Sequence, residues 1–322
     1  MDSQPTRSFK KISLLAGRSL IGLDHGMFGV FEKPILSLIS LAVISCQPAE
    51  PLIRSNSNSP VPDQRYPHPG NPTSPAASSS PATVSPSAVP DGELSRPADK
   101  PNISRKTIAG IQFEGVSYDS RTHLLKVIDQ ANGPGSRFAD SASVAHATNA
   151  LLAINAGFFT PEGAPLGLVI SEGKISGGWN SASSLGSGIY RISSAGAASI
   201  SRRSSRSAVE SSKELLQAGP LLVENGKTIG GLDPEKSAVR SILLSDGGTR
   251  WWIGRTSSCS LAALGSALGS GSPAPWNVRQ ALNLDGGRST DLYISSSISG
   301  GPLTRRGLLN RPVRNFFILV SR

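Results

Sequence analysis

Apolar and polar positions alternate with a period of two along much of the second half of this chain. Glycine, asparagine and aspartate interrupt the alternation at short intervals, which predicts a sheet-rich domain with many tight turns. Residues 107–118 and 123–128 read as two strands around the turn Asp119-Ser120-Arg121, and 188–192 with 197–201 as a second hairpin. Residues 165–170 form a further strand before the turn Glu172-Gly173-Lys174. Leu221-Leu222-Val223 leads into an Asn225-Gly226 turn, and 239–244 returns through Gly247-Gly248 to 250–254, where Trp251 and Trp252 stand side by side. Two runs, Leu151-Leu152-Ala153-Ile154 and Phe316-Phe317-Ile318-Leu319-Val320, are apolar throughout, as strands buried on both faces are. Helical composition appears at 140–150, with Asp140 or Ser141 available as a cap, at 210–216, and at 261–268. These elements predict an α+β domain over residues 106–322: a mixed, largely antiparallel twisted sheet with short flanking helices, its strand order left open.

The first third of the chain reads differently. Residues 47–105 are dominated by Pro, Ser, Asn and Ala, so they hold too little apolar surface to offset the entropy of ordering and read as an extended linker. Ahead of them, residues 35–44 form a short apolar core preceded by Lys33, with the length of a signal-peptide hydrophobic region rather than of a membrane span. The run ends in Val43-Ile44-Ser45-Cys46, which resembles a bacterial lipoprotein box, where the cysteine is lipidated and becomes the first residue of the mature chain. Residues 1–46 are therefore read as a signal region, with Met27 as an alternative start that would give it conventional proportions. Ordinary cleavage near Ser45 and an uncleaved anchor are the alternatives. The expectation is an exported protein, periplasmic or at the cell surface, held to a bacterial membrane through Cys46.

Composition narrows the chemistry. The net charge of +10 fits nucleic acid, anionic lipid or an anionic substrate. No nucleic-acid-binding module is recognisable, so no nucleic-acid partner is expected. The cations are dispersed except for Arg202, Arg203 and Arg206, and for Arg305, Arg306, Arg311 and Arg314. Cys259 has only Cys46 as another cysteine and reads as a buried structural thiol. His123 and His146 stand in no motif and are given no role. Zinc, EF-hand, Walker and dinucleotide patterns are absent from the sequence. No cofactor is expected, and a divalent ion at Asp285 or Asp291 has only those carboxylates in its favour.

Chemistry concentrates where strand-like runs end in polar residues. Ala281-Leu282-Asn283-Leu284 runs into Asp285-Gly286-Gly287-Arg288-Ser289-Thr290-Asp291. Paired glycines let backbone approach a ligand closely, and a carboxylate at a strand end is well placed beside it; Asp-Gly between strands is equally a hairpin signal. The apolar strand at 151–154 likewise ends in Asn155-Ala156-Gly157-Phe158-Phe159-Thr160-Pro161-Glu162.

Four segments in order, Ile154-Asn155-Ala156-Gly157-Phe158-Phe159, then Gln217-Ala218-Gly219-Pro220 with Leu222-Val223 and Asn225-Gly226, then Asn283-Leu284-Asp285-Gly286-Gly287 with Ser289, then Arg311-Pro312-Val313-Arg314-Asn315, resemble the phosphodiester glycosidase domain family. The resemblance covers roughly residues 111–320. One departure stands out: Arg288 occupies the place of a third glycine common in the family. The resemblance implies hydrolysis of a sugar-1-phosphodiester. Such a reaction passes through an oxocarbenium-like state and needs cations or N–H donors to hold the phosphate. Asp285 is the expected base, nucleophile or charge stabiliser, Arg240 the first phosphate ligand and Arg288 the second. Asn155 and Asn283 would bind sugar hydroxyls or phosphate, or else cap strand ends. Gly286 and Gly287 would donate backbone N–H groups. Glu162 is a candidate second carboxylate, and Ser289, Gln217 and Gly157 complete the expected substrate-binding set. A glycan-binding lipoprotein without catalysis, and a phosphodiesterase cutting the other P–O bond, are the competing readings. All require the strand ends near 155, 217, 240 and 285 to meet around one anion-accepting hollow.

Overall fold

The computed structural model describes residues 96–204, 206, 207, 209 and 211–322. The signal region, the lipobox-like Cys46 and most of the linker lie outside the described residues. In chain order the elements are β1 (Asn102–Ile108), β2 (Ile111–Asp119), β3 (His123–Asp129), α1 (Ser141–Thr148), β4 (Leu152–Asn155), β5 (Val169–Ser171), β6 (Lys174–Ser176), β7 (Gly188–Ile192), β8 (Ala198–Arg202) and β9 (Glu214–Ala218). They continue with β10 (Leu221–Glu224), β11 (Lys227–Thr228), β12 (Ser241–Ser245), β13 (Arg250–Thr256), α2 (Leu261–Ser270), β14 (Gln280–Asn283), β15 (Asp291–Ile294), β16 (Leu303–Arg306) and β17 (Asn315–Ser321).

These strands form three sheets, in the orders β1-β2-β13-β12-β14-β10-β11, β16-β15-β4-β17-β3 and β6-β5-β9-β7-β8. Every strand pair within them is antiparallel. The expected antiparallel character holds, whereas the expected mixed single sheet is replaced by three sheets without parallel pairs. The two helices are short, and none of the helices among the described residues is long and apolar enough to cross a membrane.

The period-two pattern explains how the sheets stack. Consecutive strand residues point to opposite faces, so Trp251 enters the central core with Val116, Leu243, Ile253 and Leu282, while Trp252 enters an outer core with Phe113, Ile242 and Leu244. The second and third sheets cover the central core from the other side: Leu152, Ile154, Phe317 and Leu319 come from one, Val169, Tyr190 and Leu216 from the other. Helix α2 closes the outer core of the seven-stranded sheet through Leu264, Ala267 and Leu268. Helix α1 covers the far face of the second sheet, where Val144 and Ala145 meet Ala153, Phe316 and Ile318. Both apolar runs read as doubly buried strands, β4 and β17, therefore lie between two cores. At about 1.5–3 kcal/mol per fully buried large apolar side chain, this double burial is what holds the layers together.

Three expectations change at this level. Residues 107–118 hold a tight hairpin rather than one strand: Ala109 (φ 48°) and Gly110 (φ 79°) turn β1 into β2, the two positive φ values typical of a two-residue hairpin loop. Strand β1 begins at Asn102, so residues 102–105 of the stretch read as linker are paired in a sheet. The stretch 210–216, read as a short helix, leads into strand β9. There Leu215 and Leu216 face opposite cores, and the buried Glu214 carboxylate accepts from Val127 N at 2.9 Å. Both features require an extended chain. The other two helices form where their caps stand: Asp140 accepts from Ser143 N in a capping box, and Ser260 accepts from Ala263 N. Cys259, next to that cap, is buried and free, as its sequence context indicated.

Candidate active site

β14 belongs to the seven-stranded sheet and β15 to the second sheet, so residues 284–290 between them must cross from one layer to the other. That crossing carries Asp285, Gly286, the 3-10 turn Gly287–Ser289 and Thr290. Leaving both sheets at once strands several backbone groups, and a buried backbone polar group needs a partner. Asp285 N donates to Ala156 O at 2.9 Å, Leu284 N to Ser241 O at 2.9 Å, and Gly287 N to Val239 O at 2.7 Å.

Asn155, at the end of β4, completes the seam. Its Nδ2 donates to Asp285 O at 2.6 Å, while its Oδ1 accepts from Ser241 Oγ at 2.7 Å and Asp291 N at 3.1 Å. One fully buried amide thus joins β4, β12, the crossing loop and β15. Gly286 has to be glycine here, because a Cβ would stand 2.7 Å from Val239 O. Asp291 closes the far end of the loop. It accepts from Ser141 N at 3.0 Å and Ser141 Oγ at 2.6 Å at the start of α1, and also binds the Arg306 guanidinium.

On this frame Asp285 faces a hollow of about 380 Å³ lined also by Phe158, Phe159, Thr160, Pro161, Arg288, Ser289 and Arg311. Burial raises the Asp285 pKa to about 6, against the lowering effect of hydrogen bonds from the Ser289 hydroxyl and Gly286 N. Gly286 N lies 2.9 Å from Asp285 Oδ1. Arg288 donates through Nε to Leu309 O at 3.1 Å, and Arg311 N donates to Arg288 O. The two arginines are thus joined along one wall. No hydrogen bond or ion pair engages the Arg311 guanidinium among the described residues. A desolvated carboxylate, an apolar floor with two aromatic rings and two guanidinium groups suit a sugar ring carrying an anionic substituent.

The remaining expected residues do not line the hollow, so the strand ends near 155, 217 and 240 do not join 285 in its wall as expected. Asn155 is committed to the seam. Asn283 donates through Nδ2 to Gly219 O at 2.8 Å and is buried. Gln217 accepts from Leu168 N and Asn180 N and donates to Asn180 O and Gly186 O, so it stitches β9 to the 177–187 loop. Gly157 N donates to Asn315 Oδ1 at 2.6 Å, and a Cβ there would meet Leu216 at 2.9 Å.

Arg240 lies one residue before β12. Its Nε donates to Cys259 O at 3.2 Å and its Nη2 to Lys236 O at 2.5 Å, so its guanidinium is held by backbone carbonyls and does not line the hollow. Gly287 N is likewise taken up by Val239 O. Glu162 stands in the exposed turn beyond Thr160 and Pro161, and a hydrogen bond from Thr160 holds its carboxyl below the usual range. Arg314 pairs with Asp129 through two bonds of 2.8 and 2.9 Å, both side chains nearly buried. Arg311, Phe158, Phe159 and Thr160 line the hollow without having been singled out as site residues, although the first three lie in the motifs that carry the resemblance and Thr160 follows one of them directly. No group of three or more His, Cys, Asp or Glu side chains gathers as a metal site among the described residues.

Solved structures similar to the chain include the following three. The catalytic domain of zebrafish N-acetylglucosamine-1-phosphodiester alpha-N-acetylglucosaminidase, auto-inhibited by its pro-peptide, is 17% identical over 71% of this chain and 85% of its own, with a TM-score of 0.48. A hypothetical protein from Synechocystis is 17% identical over 71% of this chain and 64% of its own, TM-score 0.45. A protein of Burkholderia pseudomallei K96243 described as exported is 12% identical over 65% of this chain and 74% of its own, TM-score 0.41. No curated protein sequence matches. The model of the phosphodiester glycosidase family matches residues 148–320, the span that holds β4, the crossing loop, Arg311 and β17. With that match over more than half of its length, the chain belongs to the phosphodiester glycosidase family.

Proposed function

We propose that the domain hydrolyses sugar-1-phosphodiesters, releasing the sugar from the phosphate. The observation that carries this reading is the single desolvated carboxylate, Asp285, facing a hollow whose wall holds Arg288 and Arg311. In the reaction the bond between the anomeric carbon and the phosphate oxygen breaks, positive charge develops on the sugar ring, and the phosphate departs as an anionic monoester of the remaining alcohol while water supplies the new sugar hydroxyl. The two guanidinium groups match that departing charge, and ionised Asp285 matches the charge on the ring. A phosphomonoester anion held by two guanidinium groups is a good leaving group by itself, so the site has little need of a second carboxylate acting as acid. Asp285 then attacks the anomeric carbon or takes the proton of an attacking water, and both roles require its ionised form. The Ser289 hydroxyl bond keeps the carboxylate oriented in either case.

Turnover of a glycosyl phosphodiester in water labelled with heavy oxygen tests the bond that breaks. The label should enter the sugar; its appearance in the phosphate would establish phosphodiester cleavage at the other bond, and binding without turnover would establish a glycan-binding protein. Arg311→Ala should raise KM for the diester about 10-fold or more while changing KM for an uncharged aryl glycoside little. Equal effects on both substrates would separate Arg311 from the phosphate.

For the chain as a whole we propose an exported hydrolase of the cell envelope or its exopolysaccharide, tethered by the linker ahead of β1 to a lipid on Cys46. The support is the apolar core at 35–44 and the lipobox-like ending. Cys46→Ser should abolish incorporation of labelled fatty acid and move the protein from the membrane fraction; unchanged labelling would remove the anchor from the proposal.

A further inference from the structure

A second hollow, of about 540 Å³, lies against β1, β2 and β13 and is lined by Arg105, Lys106, Glu114, Arg255 and Arg305 among others. Its centre is a cross-strand row set by sheet register: Arg105 on β1 pairs with Glu114 on β2, which pairs with Arg255 on β13. Arg305 reaches the row from β16 of the second sheet. Glu114 is taken by two of the three arginines. Arg105 Nε donates to its Oε1 at 2.8 Å, and Arg305 donates at 2.7 and 3.1 Å.

Arg255 is left over: it lies close enough to feel the Glu114 and Arg305 charges, yet no hydrogen bond engages its guanidinium among the described residues. Its half-buried side chain has lost water without gaining a partner, an arrangement that costs stability and suits an incoming anion. Three arginines thus face one carboxylate.

This hollow is joined to the active-site loop. Arg255 and Arg305 also line a smaller hollow of about 250 Å³, shared with Gly287, Thr290, Arg306 and Asn310. Arg306 is held by Asp291 there, which again leaves Arg255 as the spare cation. Gly287 lines this hollow and Arg288 the one that contains Asp285, and successive Cα atoms are only about 3.8 Å apart. The 286–290 loop thus borders both hollows, and a chain-like ligand that fills the Asp285 hollow and passes over this loop would meet Arg255.

We infer that Arg255, with Arg105, Lys106 and Arg305 around it, binds a second phosphodiester of the same substrate, so that the substrate class is a glycan with consecutive sugar–phosphate units rather than an isolated sugar phosphodiester. The inference rests on the hydrolase reading above for its first phosphate but makes a separate claim about binding. Sulfate or carboxylate groups spaced along a glycan share the chemistry of an oxyanion for a guanidinium; the phosphodiester is favoured because the family cleaves that group.

The test compares a synthetic glycan bearing one sugar-phosphodiester unit with one bearing two consecutive units. For the wild-type domain the two-unit compound should show the higher kcat/KM. Arg255→Gln should lower kcat/KM for that compound about 10- to 100-fold, leave the one-unit compound unchanged, and leave the melting temperature at or above that of the wild type. Arg255→Lys should recover part of the loss. The same pair of compounds is titrated onto Asp285→Asn protein by calorimetry, so that binding is read without turnover. If neither compound is hydrolysed but the two-unit compound binds more tightly and loses that advantage with Arg255→Gln, the hydrolase reading fails and the second site stands. Equal losses on both compounds, or no loss on either, would overturn the second site. So would equal competition by a single-stranded oligonucleotide of matched phosphate number or by a sulfated glycan of matched charge, since either would show a general polyanion surface.

Discussion

Asp285→Asn should lower kcat on a glycosyl phosphodiester by about 10³-fold or more, the loss expected when the charged group at the reacting centre is removed. The same variant should be more stable than the wild type at neutral pH. Both expectations come from the pKa of about 6 that burial imposes on this carboxyl. In the unfolded chain an aspartate titrates near 3.9, so the folded state holds the proton more tightly. Stability contributed by the protonated carboxyl is present below about pH 4, declines as pH rises between about 4 and 6, and is absent above 6. The full shift corresponds to about 3 kcal/mol; because Asp285 keeps partial contact with solvent, about 1–2 kcal/mol is the expected gain on neutralising it.

Melting curves of the two proteins should thus separate at pH 8 and converge below about pH 4. In the wild type, kcat/KM should fall as pH drops through 6, because ionised Asp285 is the working form. Activity of Asp285→Asn within 10-fold of wild type would remove the residue from catalysis, and a melting temperature lowered at pH 8 would contradict its desolvation.

Asn155→Ala should have the second large effect, on stability. Its side chain makes three hydrogen bonds in a fully buried position, to Asp285 O, the Ser241 hydroxyl and Asp291 N. Each orphaned buried group costs about 1–3 kcal/mol, and the loss of side-chain volume adds a cavity, so a total of about 4 kcal/mol is expected. Urea denaturation should show the midpoint falling with the slope unchanged. At temperatures where the variant stays folded, the crossing loop has lost its anchor, and a shift of Asp285 by about 1 Å is enough to cost about 100-fold in rate. An Asn155 that bound substrate instead would show wild-type stability with a raised KM.

The contrast between these residues shows what the sequence could convey. Strands, turns and doubly buried runs were legible because period-two burial leaves a direct trace: Trp251 and Trp252 could only fill two cores if the chain there was extended between them. The 210–216 stretch misled because Lys213, Glu214 and Leu215-Leu216 suit a helix by composition, whereas the burial of Glu214 against Val127 N is a tertiary fact. Asp285 was legible as the end of a strand beside paired glycines. Its neighbours Asn155, Asn283, Gln217 and Gly157 carry the same kind of motif signal for another reason. Where sheets part, backbone groups need amide side chains and close approaches, and these look like chemistry in a linear string. Arg240 illustrates the same limit for cations: nothing in the letters shows that two carbonyls, of Cys259 and Lys236, take up its guanidinium. Arg311 sat within a recognised motif, but its contribution to the wall depends on the path of residues 307–311. Arg255 carried no signal at all, since its significance lies in Glu114 having been claimed by two other arginines.

The position of β17 has a consequence for how the molecule is made. β17 lies between β4 and β3 within its sheet, and it pairs with a strand about 160 residues upstream. On a ribosome, β4 emerges long before residue 315 is synthesised and must wait with the edge that pairs with β17 open. Asn315 and Arg314, which fasten Gly157 and Asp129, arrive with the same late strand. A nascent chain paused before residue 315 therefore holds every group of the Asp285 loop without the strand that secures the sheet behind it, and it is sticky to any chaperone that recognises exposed apolar segments.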